Sequence, residues 1–336
     1  MNIKDIAAIA HVGVSTVSRV LNNHPDVNEK TRERVLEIIK ENNYIPNNSA
    51  RILKQSNTKN IGILVKGVFN PFFSEILKIV SVGIQDAGYT MILQHHNNQN
   101  DVGTLLGFIK EKRLQGIICL GGNFIDLKDE DLEEVEDVPI VLVSVEAAMR
   151  KKLKRCSSIS INNKEAAFRA TQYLIENGHR NIGLILGEKQ DYGISKERYE
   201  GYKEALAHYN IEYNEKYIVY GEYECEDAYK QTKKLLKQSP EITALFAISD
   251  IMAMGASKAS TDIGRKIGQN IAIVGFDGMD MAKYYQPSIT TIKQPKKEMS
   301  ELSIELILKL LEGKIQNTHM FLEVELVEGE SCYKII

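Results

Sequence analysis

The 336-residue chain is poor in cysteine, in long apolar runs and in the signatures of catalysis. Its four cysteines (Cys119, Cys156, Cys225, Cys332) stand singly, with no CxxC spacing. That argues against a disulfide framework or a structural zinc, and a reducing cytoplasm is the expected compartment. Apolar runs stop at a handful of residues, as in 244–248, far short of the ~20 a bilayer-spanning helix needs. Lys4 and Asp5 stand where a signal peptide would have its apolar core. Gly121–Gly122 lacks the context of a dinucleotide or P-loop fingerprint, and no serine sits in a GxSxG elbow. His95–His96 has no third ligand nearby for a metal. No cofactor, no metal, no membrane contact and no enzyme activity are expected.

What the chain does have is an ordinary globular composition, 43% apolar and 26% charged. Its length allows two or three domains at roughly 150 residues each. The net charge of −3 hides an asymmetry. Residues 1–60 carry nine Lys/Arg against six Asp/Glu, and the remainder carries 33 against 39. A small basic head on an acidic body is what an N-terminal nucleic-acid-binding module produces.

Ile3, Ile6, Ala7, Ile9 and Ala10 fall at helical spacing and predict a helix over 3–10, broken at His11–Val12–Gly13. A second pattern follows, with Val14, Val17, Val20 and Leu21 on one side and Ser15, Thr16, Ser18, Arg19 and Asn22 on the other. Two short helices around a glycine turn form a helix-turn-helix, and small hydroxyls with one arginine suit a major-groove reader. An ordinary helical hairpin is the alternative on this pattern alone. A third helix is predicted over 29–41, with Asn28 as N-cap and Val35, Leu36, Ile38 and Ile39 facing the first two. After the breaker at 44–48, residues 49–54 make a segment too short to be a stable helix alone, with Leu53 left as an uncovered apolar residue.

The strings IKDIAAIA (3–10), VGVSTVSRVLN (12–22) and TRERVLEIIKENNYIPN (31–47) resemble the headpiece of LacI/GalR-family transcriptional regulators. NPFFSEI (70–76), LQGIIC (114–119), IENGHRNIGLI (175–185), ERYEGYKEAL (197–206), SDIMAMGA (249–256), IAIVGFDG (271–278) and SITTIKQP (288–295) follow in family order, so the resemblance covers essentially the whole chain. It implies that Val14 and Ser15 take the variable base-reading positions, and that Thr16, Ser18, Arg19 and Asn22 contact phosphates and bases. It further implies that Asn47, Ala50 and Leu53 belong to a hinge helix whose leucine wedges into the minor groove. A segment that folds only when docked agrees with that. Two positions depart from the family pattern: His11 replaces the turn glycine, and Gly13 replaces the N-cap serine.

Beyond residue 59, apolar runs at 61–65, 91–93, 116–120, 140–143, 182–186, 244–248 and 271–275 alternate with amphipathic stretches near 73–87, 101–113, 164–177, 196–209, 226–238, 251–262 and 296–312. This alternation predicts doubly wound parallel sheets. The expected architecture is a small all-α headpiece (1–46), a hinge (47–58) and a two-lobed α/β body (59–336) resembling periplasmic binding proteins. The N-lobe is placed at about 59–160 plus 291–320 and the C-lobe at about 161–290 plus 321–336. The chain is expected to cross between lobes near 159–162, 288–293 and 318–322.

Ligands of open α/β sheets bind beyond the carboxyl ends of strands. There stand Phe72 and Phe73, one of them a candidate apolar wall, together with Ser144 and Ser249. Asp250 follows, read as a helix N-cap before a ligand contact. The resemblance adds Arg198, Tyr223, Asp277 and Gln294 as effector contacts. An aromatic wall, one arginine and one aspartate favour a neutral polyhydroxylated effector such as a sugar, with a nucleobase as the alternative. The basic run 150–155 reads as a solvated loop, with a polyanion or phosphoprotein contact as its sharper option. The expected partners are near-palindromic double-stranded operator DNA, a small-molecule effector and a second copy in a homodimer. The chain ends at Ile336 without a heptad tail, so no tetramer is expected. The rivals are a solute-binding protein for transport and a regulator whose cue is a phosphorylated carrier protein.

Overall fold

The computed structural model describes residues 2–21, 24–42, 44, 59–67, 70–97, 99–145, 153–189, 191 and 193–335. Its contacts divide the chain into Met1–Thr58 and Lys59–Ile336.

The first unit contains α1 (Ile3–Ile9), α2 (Val14–Leu21) and α3 (Glu29–Glu41). A reciprocal capping box starts α1: the Asn2 side chain accepts from the amides of Lys4 (2.8 Å) and Asp5 (3.3 Å), and Asp5 accepts from the Asn2 amide at 2.7 Å. Asn28 caps α3, accepting from the Lys30 amide at 3.0 Å. Ile6, Ala7, Ala10, Val17, Val20, Val27 and Val35 form the buried core. Leu36 and Ile9, expected on the inner faces, are 47% and 45% exposed. On so small a bundle the buried stripe is narrower than the apolar stripe, and the neighbours of Val35 and Ile6 fall outside it.

His11 sits in the turn at φ 52°. This left-handed geometry is what a glycine supplies without strain, whereas an L side chain pays a steric cost. His11→Gly is therefore expected to stabilise the headpiece by about 1 kcal/mol, read as a higher urea midpoint for the loss of its helical signal. A lower midpoint would contradict this account of the turn.

Among the described residues, the second unit holds two six-stranded sheets. The first, in order β11-β5-β4-β3-β1-β2, is parallel throughout. Its strands are β1 (Asn60–Lys66), β2 (Thr90–His96), β3 (Gly116–Leu120), β4 (Ile140–Val143), β5 (Ser157–Ile161) and β11 (His319–Leu322). Helices α4 (Pro71–Asp86), α5 (Asp101–Lys112) and α11 (Lys296–Leu311) accompany it. The second sheet runs β12-β10-β9-β8-β6-β7 and is parallel except for β12 against β10. It comprises β6 (Ile182–Leu186), β7 (Ile218–Tyr220), β8 (Ala244–Ala247), β9 (Ala272–Asp277), β10 (Thr290–Lys293) and β12 (Glu325–Val327). With it go α6 (Asn163–Glu176), α7 (Ile194–His208), α8 (Cys225–Gln238), α9 (Asp250–Asp262) and α10 (Asp280–Tyr284).

Strand pairing moves the lobe boundaries from where the sequence placed them. Thr290–Lys293 pairs with β9, so β10 belongs wholly to the C-lobe and the second crossing falls at 294–295 rather than 288–293. Leu322 pairs with Ile161, so β11 belongs to the N-lobe and the third crossing falls at 323–324. The crossing assigned to 159–162 overlaps the interior strand β5. Its serines mask it: Ser157 Oγ donates to Asn317 Oδ1 (3.0 Å) and Ser158 Oγ meets His319 Nδ1 (2.8 Å), which satisfies hydroxyls inside the sheet.

Candidate functional site

Helix α2 turns Val17 and Val20 into the headpiece core and leaves Val14, Ser15 and Arg19 exposed, with Thr16 and Ser18 half-buried. Gly13 accepts from the amides of Thr16 and Val17 through its carbonyl but has no side chain to cap the first turn. An N-terminus without a side-chain cap, beside two hydroxyls and an arginine, suits a DNA phosphate. Asn22, Asn47, Ala50 and Leu53 lie outside the described residues.

In the body, the C-lobe strands aim a compact polar cluster past their carboxyl ends. Arg198, on α7, is 3% exposed. Its Nε donates to Asn163 Oδ1 at 3.0 Å and its Nη1 to the Ile248 carbonyl. Its guanidinium carbon lies 3.5 Å from the centre of the Phe276 ring, and Nη1 is 3.7 Å from Asp277 Oδ1. The same Asp277 oxygen accepts from Gln294 Nε2 at 2.8 Å. Burial lowers the Arg198 pKa, and the adjacent Asp277 opposes that shift. Burial raises Asp277 to about 6 against the pull of Arg198. Gln294 Oε1 is buried and has no hydrogen-bond partner among the described residues. The Tyr223 hydroxyl donates to Asp191 Oδ2 at 2.8 Å, and Asp191 Oδ1 accepts from the Gly193 amide at 2.8 Å.

Asp250 departs from the expected role. Ser249 is the N-cap of α9, its hydroxyl accepting from the Met252 amide at 3.3 Å. Asp250 is fully buried one residue later and uses both oxygens elsewhere. Oδ1 accepts from Thr291 Oγ1 at 2.6 Å and Oδ2 from the Met279 amide at 2.7 Å, clamping β10 to the loop after β9. Burial, with Asp277 adding repulsion, pushes Asp250 up to about 8. Because the folded pKa lies above the unfolded value, the stability it contributes is complete below pH ~4 and is lost as pH rises through about 8. Unfolding free energy should therefore fall across that window with a slope of at most about 1.4 kcal/mol per pH unit. Denaturation at several pH values should find a flatter profile in Asp250→Asn; an unchanged slope would remove Asp250 as its source.

The N-lobe contributes Phe72 and Phe73, packed edge to face with centroids 5.2 Å apart. Both are buried, so neither stands as an open wall: Phe73 lies against Gly121, where a Cβ would come within 2.6 Å of its ring. Ser144 directly follows β4 and is buried, in left-handed geometry at φ 59°. Sequence reasoning missed a second polar group here. Lys66 Nζ donates to Asp101 Oδ1 at 3.0 Å, the Asn123 amide donates to Asp101 Oδ2, and His96 Nδ1 lies 3.5 Å from Asp101 Oδ1. Asn123 Oδ1 would be 3.9 Å from a Cβ at Gly193, so the N-lobe and C-lobe groups face each other across the cleft. Asn163, Asp191, Lys66 and Asp101 were overlooked because each is a single polar residue at a strand end, at a helix start or in a loop. The rule that ligands sit beyond strand carboxyl ends would have flagged Lys66 and Asn163. The basic run is described only over 153–155, where Arg155 pairs with Glu136 (3.0 Å) and Glu133 (3.7 Å).

Residues 2–47 match a family described as bacterial regulatory proteins, lacI family, and residues 171–332 match the periplasmic binding protein-like domain. The chain is 56% identical over 337 aligned residues to the HTH-type transcriptional regulator MalR of Clostridium butyricum, covering 100% of both. Among solved structures it resembles the Lac repressor dimer bound to operator and the anti-inducer ONPF (TM-score 0.74, 25% identity, 99% of each chain). It also resembles the transcriptional regulator CelR in complex with cellobiose (TM-score 0.70, 29% identity, 98% of this chain and 99% of that one). No described helix is long and apolar enough to cross a membrane. With an uncapped, hydroxyl-rich second helix ahead of a two-lobed body, and identity to a regulator along its whole length, the chain belongs to the LacI family of DNA-binding transcriptional regulators.

Proposed function

We propose that the protein is a homodimeric repressor of carbohydrate-utilisation genes, switched by a neutral saccharide held between the lobes. The observation that carries this reading is the pairing of charges around the cleft. Arg198 is matched by Asp277 and Lys66 by Asp101. A phosphorylated sugar would bring negative charge to cations already neutralised. A neutral sugar brings hydroxyls, which suit what is offered: a guanidinium donor, a carboxylate acceptor, and the orphaned Gln294 Oε1, which calls for a donor. Cellobiose in the CelR complex supports a ligand of this class.

On the DNA side, two copies of α2 read half-sites and the segment 47–58 supplies the minor-groove hinge, with Leu53 as wedge. Exposed Met281 and Tyr284 on α10 give the C-lobe an apolar face suited to a second copy, and the Lac repressor relative is a dimer on its operator. A phosphorylated carrier protein is less favoured. The outer face of α11 carries Glu298, Glu301 and Glu305, and Lys297 and Lys309 are paired to the latter two.

A thermal-shift series on the full-length chain tests the ligand class, using cellobiose, maltose, glucose 6-phosphate and hypoxanthine. A neutral sugar at a hundredfold excess over Kd should add about 2.7 kcal/mol of stability. A shift with the phosphate or the purine alone would overturn the saccharide reading.

A further inference from the structure

Lys296 is a lysine that folding has taken almost out of water. It opens α11 just after the second lobe crossing and is 9% exposed, so its ammonium must be partnered where it lies. The two partners are on different lobes. Nζ lies 2.5 Å from Oε2 of Glu75, on α4 of the N-lobe. It also donates to the carbonyl of Gly278, 2.8 Å away in the C-lobe.

Gly278 directly follows the proposed effector carboxylate, Asp277. It adopts φ 65°, and a Cβ there would stand 2.6 Å from the Cα of Lys293. The loop is thus pressed against the end of β10, just before the crossing, with no room for a side chain. The crossing segment grips it further through Gln294, whose Nε2 donates to Asp277 Oδ1 at 2.8 Å and whose amide donates to the Asp277 carbonyl at 3.2 Å. Of these contacts, the one through Lys296 continues to α4, whose first turn carries Phe72 and Phe73.

We propose that Lys296 is a positioning residue that latches the Asp277–Gly278 loop of the C-lobe to helix α4 of the N-lobe, so that lobe movement makes or breaks this three-way contact. The ammonium has somewhere to go when released. It lines a groove of about 740 Å³ that also takes in Glu298 and Glu323, along with Glu301 and Glu325, which are paired to Lys297 and Lys293. A cation with one set of partners across the lobes and carboxylates close by is a two-position element of the kind that allosteric transitions use. Its role in signalling rests on the effector reading above; the latch itself does not.

Hydrogen exchange of the full-length chain without ligand tests the latch directly. Lys296→Met removes the ammonium and keeps an apolar stem, whereas Lys296→Arg keeps the charge. The amides of Gly278 and Met279, which donate to Thr291 Oγ1 and Asp250 Oδ2, report the C-lobe loop. They should exchange at least tenfold faster in Lys296→Met, together with the first turn of α4, and within threefold of wild type in Lys296→Arg. Faster exchange confined to α4 and α11 would overturn the proposal, because Lys296 would then serve its own lobe alone. If Lys296→Met does not fold, Glu75→Gln carries the same test from the N-lobe side, and an unchanged loop overturns the latch.

The signalling role is read with cellobiose and maltose on a DNA site selected by the wild-type chain. Lys296→Met should bind a sugar within threefold of wild type while its change in operator affinity drops below twofold. A full response in that variant overturns the coupling. A wild type that answers neither sugar counts against the effector reading, and exchange still decides the latch.

Discussion

Asp277→Asn is expected to abolish the effector response while leaving operator affinity without effector within a few-fold of wild type. The carboxylate is the cluster's anionic acceptor, close to Arg198 and bonded to Gln294. A hydrogen bond to a charged group is worth roughly 1.5–3 kcal/mol, so losing the charge should weaken sugar binding between about tenfold and about 150-fold. Asparagine is the informative replacement for two reasons. It tolerates positive φ better than most residues, and Asp277 sits at φ 106°. It also leaves an amide oxygen near the guanidinium. Asp277→Ala should behave differently, because it leaves a buried arginine with the Asn163 and Ile248 oxygens and no carboxylate in contact among the described residues. Breaking a buried pair costs about 3–5 kcal/mol, so alanine should lower the urea midpoint markedly. Anisotropy with a neutral sugar and urea unfolding separate the two effects. A fully responsive Asp277→Asn would remove the carboxylate from the effector site.

Leu53→Ala is expected to weaken binding to the selected operator by about a hundredfold, with binding to random DNA nearly unchanged. Wedging an apolar side chain into a base step costs a few kcal/mol of unstacking, repaid by contacts that the bent DNA permits. Alanine removes the wedge and spares the phosphate contacts that supply non-specific affinity, so the salt dependence should also stay as it was. Equal losses on operator and random DNA would mean that residues 47–58 serve as a general basic contact. They would not then be a hinge read at the operator centre.

The strands most legible in the sequence were those buried on both faces by continuous apolar runs, such as 61–65, 116–120 and 182–186. Those hidden from it fail that rule for stated reasons. β5 carries serines whose hydroxyls are satisfied inside the sheet. β7 is a three-residue strand at the sheet edge. β10 and β11 lie at the crossings, where the next apolar residues belong to the other lobe.

The candidate site divides in the same way. Arg198, Asp277 and Gln294 were named through the family strings that contain them, and they meet in one cluster. Asp250 was a helix start by its spacing, but capping depends on a single backbone geometry, and the serine before it holds that geometry. Asp101 opens the amphipathic stretch at 101–113 as a polar position in no motif, and Asp191 sits in no periodic pattern. Their roles come from the partners that the fold brings to them, Lys66 and Tyr223.

The central claim is that a neutral sugar in the cleft changes the grip of the headpieces on DNA. Its most direct test is the anisotropy of a labelled, selected operator titrated with the full-length protein, with and without cellobiose, maltose and glucose 6-phosphate. The account predicts at least a tenfold change in operator affinity with a neutral sugar, none with the phosphate, and no change on random DNA. Operator affinity indifferent to every neutral sugar but altered by the phosphate would contradict it.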